Sequence, residues 1–269
     1  KEETKTGTAQ KVETTTNVTD NKATITTTES SIKDAVSKAE KENNDSIVIS
    51  SADTKDATNI TLEIPVSAAQ NIAENSNLSI EVETTSGNVS ISNETLNSIV
   101  EQIGTDENIK VAVETKTAEN VFEAVSEESA KTITENVDRD TLEKSVIVEV
   151  NITTGDKHIR SFGGHKLTVD VPVDGKGHIE GKHYKVHIIS ADGKMDTTFG
   201  KCISKEGKLV IKFDTTHLSS FIVTNIETCP FSDVPNHWAY EEIKYVYENS
   251  IMQGTAEATF APDENMTRA

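Results

Sequence analysis

The side chains able to do chemistry are few and concentrated. Five of the seven histidines, His158, His165, His178, His183 and His187, fall between positions 158 and 187, which raises the question of a zinc site. Spacing answers against the obvious pair. On an extended strand His183 and His187 share a face but stand roughly 13 Å apart. One metal with bonds of about 2.1 Å cannot span that, so these histidines are expected to be exposed strand residues and no metal or cofactor is expected. Cys202 and Cys229 are the only thiols, and one pair of unknown separation makes no disulfide framework, although an oxidising compartment would allow a bridge. Acidic neighbours such as Glu127-Glu128 read as a solvated face. The chain contains no Gly-x-Ser-x-Gly elbow, no His-Glu-x-x-His helix and no phosphate-cradling loop. The expectation is a chain without catalytic residues.

Bulk composition narrows the function classes further. Among 269 residues, 45 acidic side chains outnumber 26 basic ones, for a net charge of -19. Such a field repels a phosphate backbone, so no nucleic acid is expected as partner. No run approaches the 18 or so apolar residues that a membrane-spanning helix needs, so no membrane insertion is expected. The chain opens on Lys1 and closes on Ala269 directly after Thr267-Arg268, which looks like a helix start. It therefore reads as a piece of a longer protein.

All twelve aromatic residues lie at or after Phe122, and six of them crowd into Phe231–Phe260. A step of that kind suggests separately built domains. Residues 1–22 are Thr-rich and poor in large apolar side chains, so they are expected to be flexible. Residues 23–117 read as α+β. Ile32, Ala35, Val36 and Ala39 form one helical face, with Ser31 as N-cap. Ile60–Ile64 alternates as a strand, and Ser67 with Gln70 has capping-box spacing. Strands at 78–83 and 88–91 flank Ser86-Gly87. A third helix carries Leu96, Ile99, Val100 and Ile103 and is expected to stop at Gly104, before a strand at 109–114. From Ile60 onward the order is βαββαβ, that of a split βαβ unit.

Residues 118–142 are a polar, helix-leaning connector. Residues 143–226 carry alternating apolar runs, such as Val146, Val148, Val150 and Ile152, or Leu167, Val169, Val171 and Val173. Shorter runs follow at 186–189, 209–213 and 221–223, divided by turns such as Thr154-Gly155-Asp156, Asp192-Gly193 and Glu206-Gly207. This pattern predicts a central antiparallel β-sandwich. The overall expectation is an α+β multidomain chain.

Residues 229–269 carry the most specific signal: Phe231-Ser232-Asp233-Val234, His237-Trp238-Ala239, Ile243, Ile251, Gly254, Thr259-Phe260-Ala261-Pro262-Asp263 and Met266-Thr267-Arg268-Ala269. This pattern resembles the S-layer homology (SLH) motif and departs from it in ending before the Glu that usually follows the Thr-Arg-Ala/Gly segment. The segment His217-Leu218-Ser219-Ser220-Phe221 is loosely similar to β-domains found beside such motifs.

The resemblance implies a small helical unit whose core contains Phe231, Ile243, Ile251 and Phe260. Its implied function is non-covalent anchoring of a secreted surface protein to secondary cell-wall polysaccharide, often pyruvylated, in bacteria with a thick peptidoglycan wall. Other S-layer subunits form a further class of partner. The polysaccharide-binding residues it points to are Arg268, Asp233, Trp238 and Gly254. Arg268 would pair with a carboxylate and Trp238 would stack on sugar or enter the core. Asp233 would fix a turn, and Gly254 would provide positive φ or a close approach. The alternative is the non-catalytic, wall-binding tail of a hydrolase whose catalytic domain lies upstream.

Overall fold

The computed structural model describes residues 9–265, except 52, 53, 55, 56, 105, 106, 176, 191, 192, 235, 236, 249, 250 and 257. The chain begins with strands β1 (Ala9–Lys11), β2 (Thr15–Thr19) and β3 (Lys22–Thr26), then helix α1 (Glu29–Glu42), β4 (Ser46–Ser50) and β5 (Asn59–Ile64). Next come α2 (Val66–Asn75), β6 (Ser79–Glu83), β7 (Asn88–Ile91), α3 (Asn93–Val100) and β8 (Ile109–Lys116). Three helices follow, α4 (Ala118–Ala124), α5 (Glu127–Asn136) and α6 (Arg139–Lys144). The second half contains β9 (Val146–Thr154), β10 (Lys157–Ile159), β11 (Leu167–Pro172) and β12 (His183–Ile189). It closes with β13 (Met195–Lys205), β14 (Lys208–Thr215), β15 (Ser220–Thr228) and α7 (Tyr240–Glu248).

All of these strands share one hydrogen-bonded ladder, in the order β1-β4-β6-β7-β11-β14-β13-β12-β15-β9-β8-β5-β3-β2, with β10 added to β9. Laid flat, that path would be roughly 60 Å wide at about 4.8 Å per strand. Yet its end strands β1 and β2 are joined by residues 12–14 alone, a reach of roughly 14 Å. The ladder therefore folds over, and its two arms face each other. Cross-arm bonds show the approach: Thr16 Oγ1 donates to Ser51 Oγ at 2.6 Å and Ser86 Oγ to the Thr58 carbonyl at 3.4 Å. At Gly87, on the β6–β7 turn, an added Cβ would sit 3.6 Å from Val113 and 3.8 Å from Val148 of the opposite arm. Ile47, Val82 and Val169 from one arm and Leu62, Val113 and Val150 from the other belong to a single buried cluster.

Several expectations change here. Residues 9–22 are ordered as strands rather than flexible, because β1 extends the edge of β4 and β2 pairs with β3. Threonine suits a pleated, half-buried strand, and the edge supplies the backbone partners that the segment's composition could not reveal. Residues 1–8 lie outside the described set. The βαββαβ order is present, but the pairing of a split βαβ unit is not. β5 lies between β3 and β8, whereas β7 lies between β6 and β11. The expected division between a 23–117 module and a 143–226 sandwich does not appear in the hydrogen bonding either. β8 pairs with β9 along its whole length, and β7 pairs with β11, giving one folded ladder in place of two sheets.

Local helix signals were partly displaced. The buried face of α1 is Ile32, Ala35, Val36 and Ala39, as the spacing predicts, but Thr28 is the N-cap and Ser31 is its capping-box partner. Helix α2 starts after Pro65 without a side-chain cap, so Ser67 and Gln70 form no box. Helix α3 ends at Val100, short of Gly104. The connector is three short helices capped by Thr117, Ser126 and Asp138. They bury Val121, Ile133, Val137 and Leu142 against Ile147, Ile189 and Ile222 on the outer face of β9, β12 and β15, adding a layer.

Candidate functional site

The C-terminal unit grows out of the last strand of the ladder. After β15 the chain buries Cys229, Phe231, Val234 and Ile243 in a core of their own, with Ala239, Tyr240, Tyr247 and Phe260 packed around it. The rings set its shape: Phe231 lies 5.0 Å from Tyr247, nearly edge-on at 74°, and 5.1 Å from Phe260. Such tilted pairs suit the ring quadrupoles. Contact with the sheet runs through Tyr240, whose hydroxyl is 3.3 Å from Thr228 Oγ1, and Tyr247, whose ring is 6.0 Å from that of His183.

Asp233 holds the returning chain. Its Oδ1 accepts from the Phe260 N–H at 3.0 Å and its Oδ2 from the Ala261 N–H at 2.7 Å. Desolvation, the largest single effect, favours the neutral acid, but the N–H donors of Phe260 and Ala261, with Asp233's own N–H and nearby His237, together outweigh it and hold the carboxyl below the usual aspartate range. The clamp also fixes Ala261 at φ 58°, a left-handed conformation unusual for a residue with a Cβ. Ser232 adds a second tie, its N–H and hydroxyl both bonding the Ala258 carbonyl. His237 Nδ1 accepts from the Ala239 N–H at 3.2 Å, which leaves Nε2 to donate to Asp263 at 3.3 Å.

Gly254 has no positive φ; what the fold needs there is the absence of a side chain. An added Cβ would lie 2.4 Å from a Phe231 ring carbon, 2.4 Å from the Thr259 carbonyl oxygen and 2.8 Å from that of Ala256. Trp238 is 87% exposed, so the core alternative is set aside and its indole is open to solvent. Ile251 is 63% exposed, not a core residue as expected, whereas Phe231 and Ile243 are buried and Phe260 is half-buried. Arg268, and the helix start expected at Thr267-Arg268, lie outside the described residues. The structure thus brings Asp233 and Gly254 together around the Phe231–Phe260 turn, with Trp238 on the outside at the start of α7.

The histidines divide: His158 and His165 are exposed, as expected, and His183 is half-buried. His178 and His187 are buried, not exposed. His178 packs its ring 4.6 Å from that of Tyr184, and His187 Nδ1 lies 3.2 Å from Thr197 Oγ1. His178 lies on the loop before β12, with its Nε2 3.2 Å from the Thr224 carbonyl of β15, and His187 stands opposite Ile222 of the same strand. Burial, reinforced by nearby lysines, lowers the pKa of His183 and of His187 to about 4. Among the described residues no group of three potential metal ligands comes together. Cys202 and Cys229 are both buried and free, and burial raises both thiol pKa values.

Residues 230–269 match the S-layer homology domain family. Neither the curated proteins nor the solved structures contain a match to the chain. Domains of this family serve generally to anchor surface proteins to cell walls and are not catalytic. No helix among the described residues is long and apolar enough to cross a membrane.

Proposed function

We propose that this chain, ending in an S-layer homology domain, anchors a secreted bacterial surface protein non-covalently to pyruvylated secondary cell-wall polysaccharide. The folded ladder of residues 9–228 serves as stalk or ectodomain and carries no catalytic role. The observation that supports this most is the family match over 230–269. Its geometry is compatible with the reading: the core of the unit is small and fully used, which leaves Trp238 outside it to stack on a sugar face.

In this reading the ligand's carboxylate is met by Arg268, one of only three arginines, since a guanidinium fork gives two hydrogen bonds where a lysine gives a point charge. Arg268→Ala is expected to weaken binding to purified walls by roughly tenfold to a hundredfold, and Arg268→Lys to weaken it less, with melting temperatures unchanged. On polymer stripped of pyruvate the two variants should match the parent. A difference that persists there contradicts the carboxylate assignment.

A further inference from the structure

The joint between the folded ladder and the C-terminal unit closes on one titratable ring. His183, the first residue of β12, stands opposite Lys201 of β13 and opposite Thr228 of β15. Its imidazole lies 6.2 Å from the Phe199 ring on the ladder and 6.0 Å from the Tyr247 ring of α7. The approach of the Tyr240 hydroxyl to Thr228 Oγ1, at 3.3 Å, is the polar part of the same joint. A cavity of about 340 Å³ lies within it, lined by Glu180, Lys182 and His183 from the ladder, Thr228 at the crossing, and Tyr247 and Gln253 from the unit. The joint is thus thinly packed, and the His183 ring is wedged between an aromatic residue of each body.

The surroundings of that ring suit it only while it is neutral. Lys201 acts on it from β13, and Lys182, just before β12, lies 3.8 Å from Glu227 of β15. Glu180 stands exposed on the cavity wall, and Tyr247 is a phenol whose pKa burial raises. Among the described residues no carboxylate lies within ion-pair distance of the imidazole. Burial, reinforced by Lys201, lowers its pKa from 6.5 to about 4. His187 is buried as well, but its contacts with Thr197 of β13 and its place opposite Ile222 of β15 lie inside the ladder, away from the joint.

We infer that this joint is an acid-sensitive hinge with His183 as its trigger: the neutral ring holds the C-terminal unit against the ladder, and protonation releases it. The joined state binds the proton more weakly than the parted one. The joint is therefore at full strength above pH 6.5, weakens as pH falls from 6.5 to about 4, and changes no further below that. The hinge does not depend on the wall-anchoring reading.

The two thiols report on it. Cys229 follows Thr228 directly and is buried in the core that Tyr247 covers, whereas Cys202 is buried in the core of the ladder. The test is to label the full chain with a dipyridyl disulfide, which modifies thiols in acid as well as at neutral pH, and to divide each cysteine's rate by its rate in denaturant at the same pH. Cys229 is expected to react roughly tenfold faster at pH 4.5 than at pH 7, with Cys202 protected at both; the full pKa shift would give roughly a hundredfold, and solvent screening of a half-buried ring reduces it. His183→Phe keeps a ring between Phe199 and Tyr247 but has no proton to gain, so Cys229 should be equally protected at both pH values. His183→Gln should loosen the joint to the same extent at both. Unchanged protection of Cys229 in the parent, exposure of Cys202 together with Cys229, or an acid response retained by either variant each overturns the inference.

Discussion

Lys205→Ala is expected to destabilise the folded ladder by about 3 kcal/mol, at the low end of the cost of breaking a buried ion pair because the cluster keeps some solvent contact. Lys205, at the end of β13, is the cation of a carboxylate cluster: its Nζ lies 3.3 Å from Asp170, 3.6 Å from Glu83 and 4.0 Å from Glu81. Asp170 is buried, and its Oδ1 has no hydrogen-bond partner among the described residues. Without the lysine, three like charges from β6 and β11 face one another.

The pH dependence follows. Burial opposes the lysine's charge, but Asp170, Glu83 and Glu81 outweigh it and raise its pKa above the usual value. The lysine's own titration therefore removes that contribution only as pH rises from the unfolded lysine pKa of about 10.4 through the higher folded value; at the acid end the carboxylates set the limit. Burial, more than any neighbour, raises the pKa of Glu83. Its neutral form is favoured by folding, so acidification relieves the variant: the deficit should shrink between pH 7 and pH 4.5. Thermal melts of the parent, Lys205→Ala and Lys205→Met at both pH values check this. The methionine restores the aliphatic stem but not the charge, so recovery of parental stability by Lys205→Met would show that packing, not the ion pairs, carries the effect.

Gly254→Ala is expected to unfold the C-terminal unit while leaving the ladder intact. The added methyl would meet two backbone carbonyl oxygens and the Phe231 ring, and the backbone pair has no rotamer to yield. Overpacking of this kind costs about 3 kcal/mol, against a core of four buried side chains. Hydrogen exchange reads it directly. Amides of α7 should exchange roughly a hundredfold faster in the variant, while those of β8 and β9 stay unchanged. Unchanged protection of α7 would mean that the turn at Gly254 relaxes around the methyl. Wall binding should fall in step with the lost protection, which separates this packing glycine from Arg268, whose substitutions leave stability alone.

What the sequence disclosed depended on whether a signal was local. The helical face Ile32-Ala35-Val36-Ala39 and the alternation of Val146 through Ile152 emerged as expected, because one buried face imposes its period on the chain. Strand β13 escaped notice: along Met195–Lys205 only Gly200 and Cys202 are buried, so no period-two pattern survives. Pairing partners escaped as well, since alternation says which face a residue takes but not which strand lies beside it. Alternation alone is therefore equally compatible with a module and a sandwich or with one folded ladder. At the C-terminus the motif resemblance pointed to Asp233 as a turn-fixing residue and to Gly254 as positive φ or close approach, and the structure supplies the atoms: Asp233 accepts from two backbone N–H groups, Gly254 leaves room for Phe231 without positive φ, and of the two alternatives for Trp238 the core one is set aside.

Co-sedimentation with purified cell walls tests the central claim most directly. Residues 1–269 alone are expected to sediment weakly, since binding grooves in this reading lie between neighbouring domains of the family. The same chain carrying two further S-layer homology domains should sediment tightly, and only with walls that retain their secondary polysaccharide. Deleting residues 230–269 from the extended chain should reduce binding sharply. Binding that survives removal of the polysaccharide, or that is unchanged by the deletion, would contradict the account.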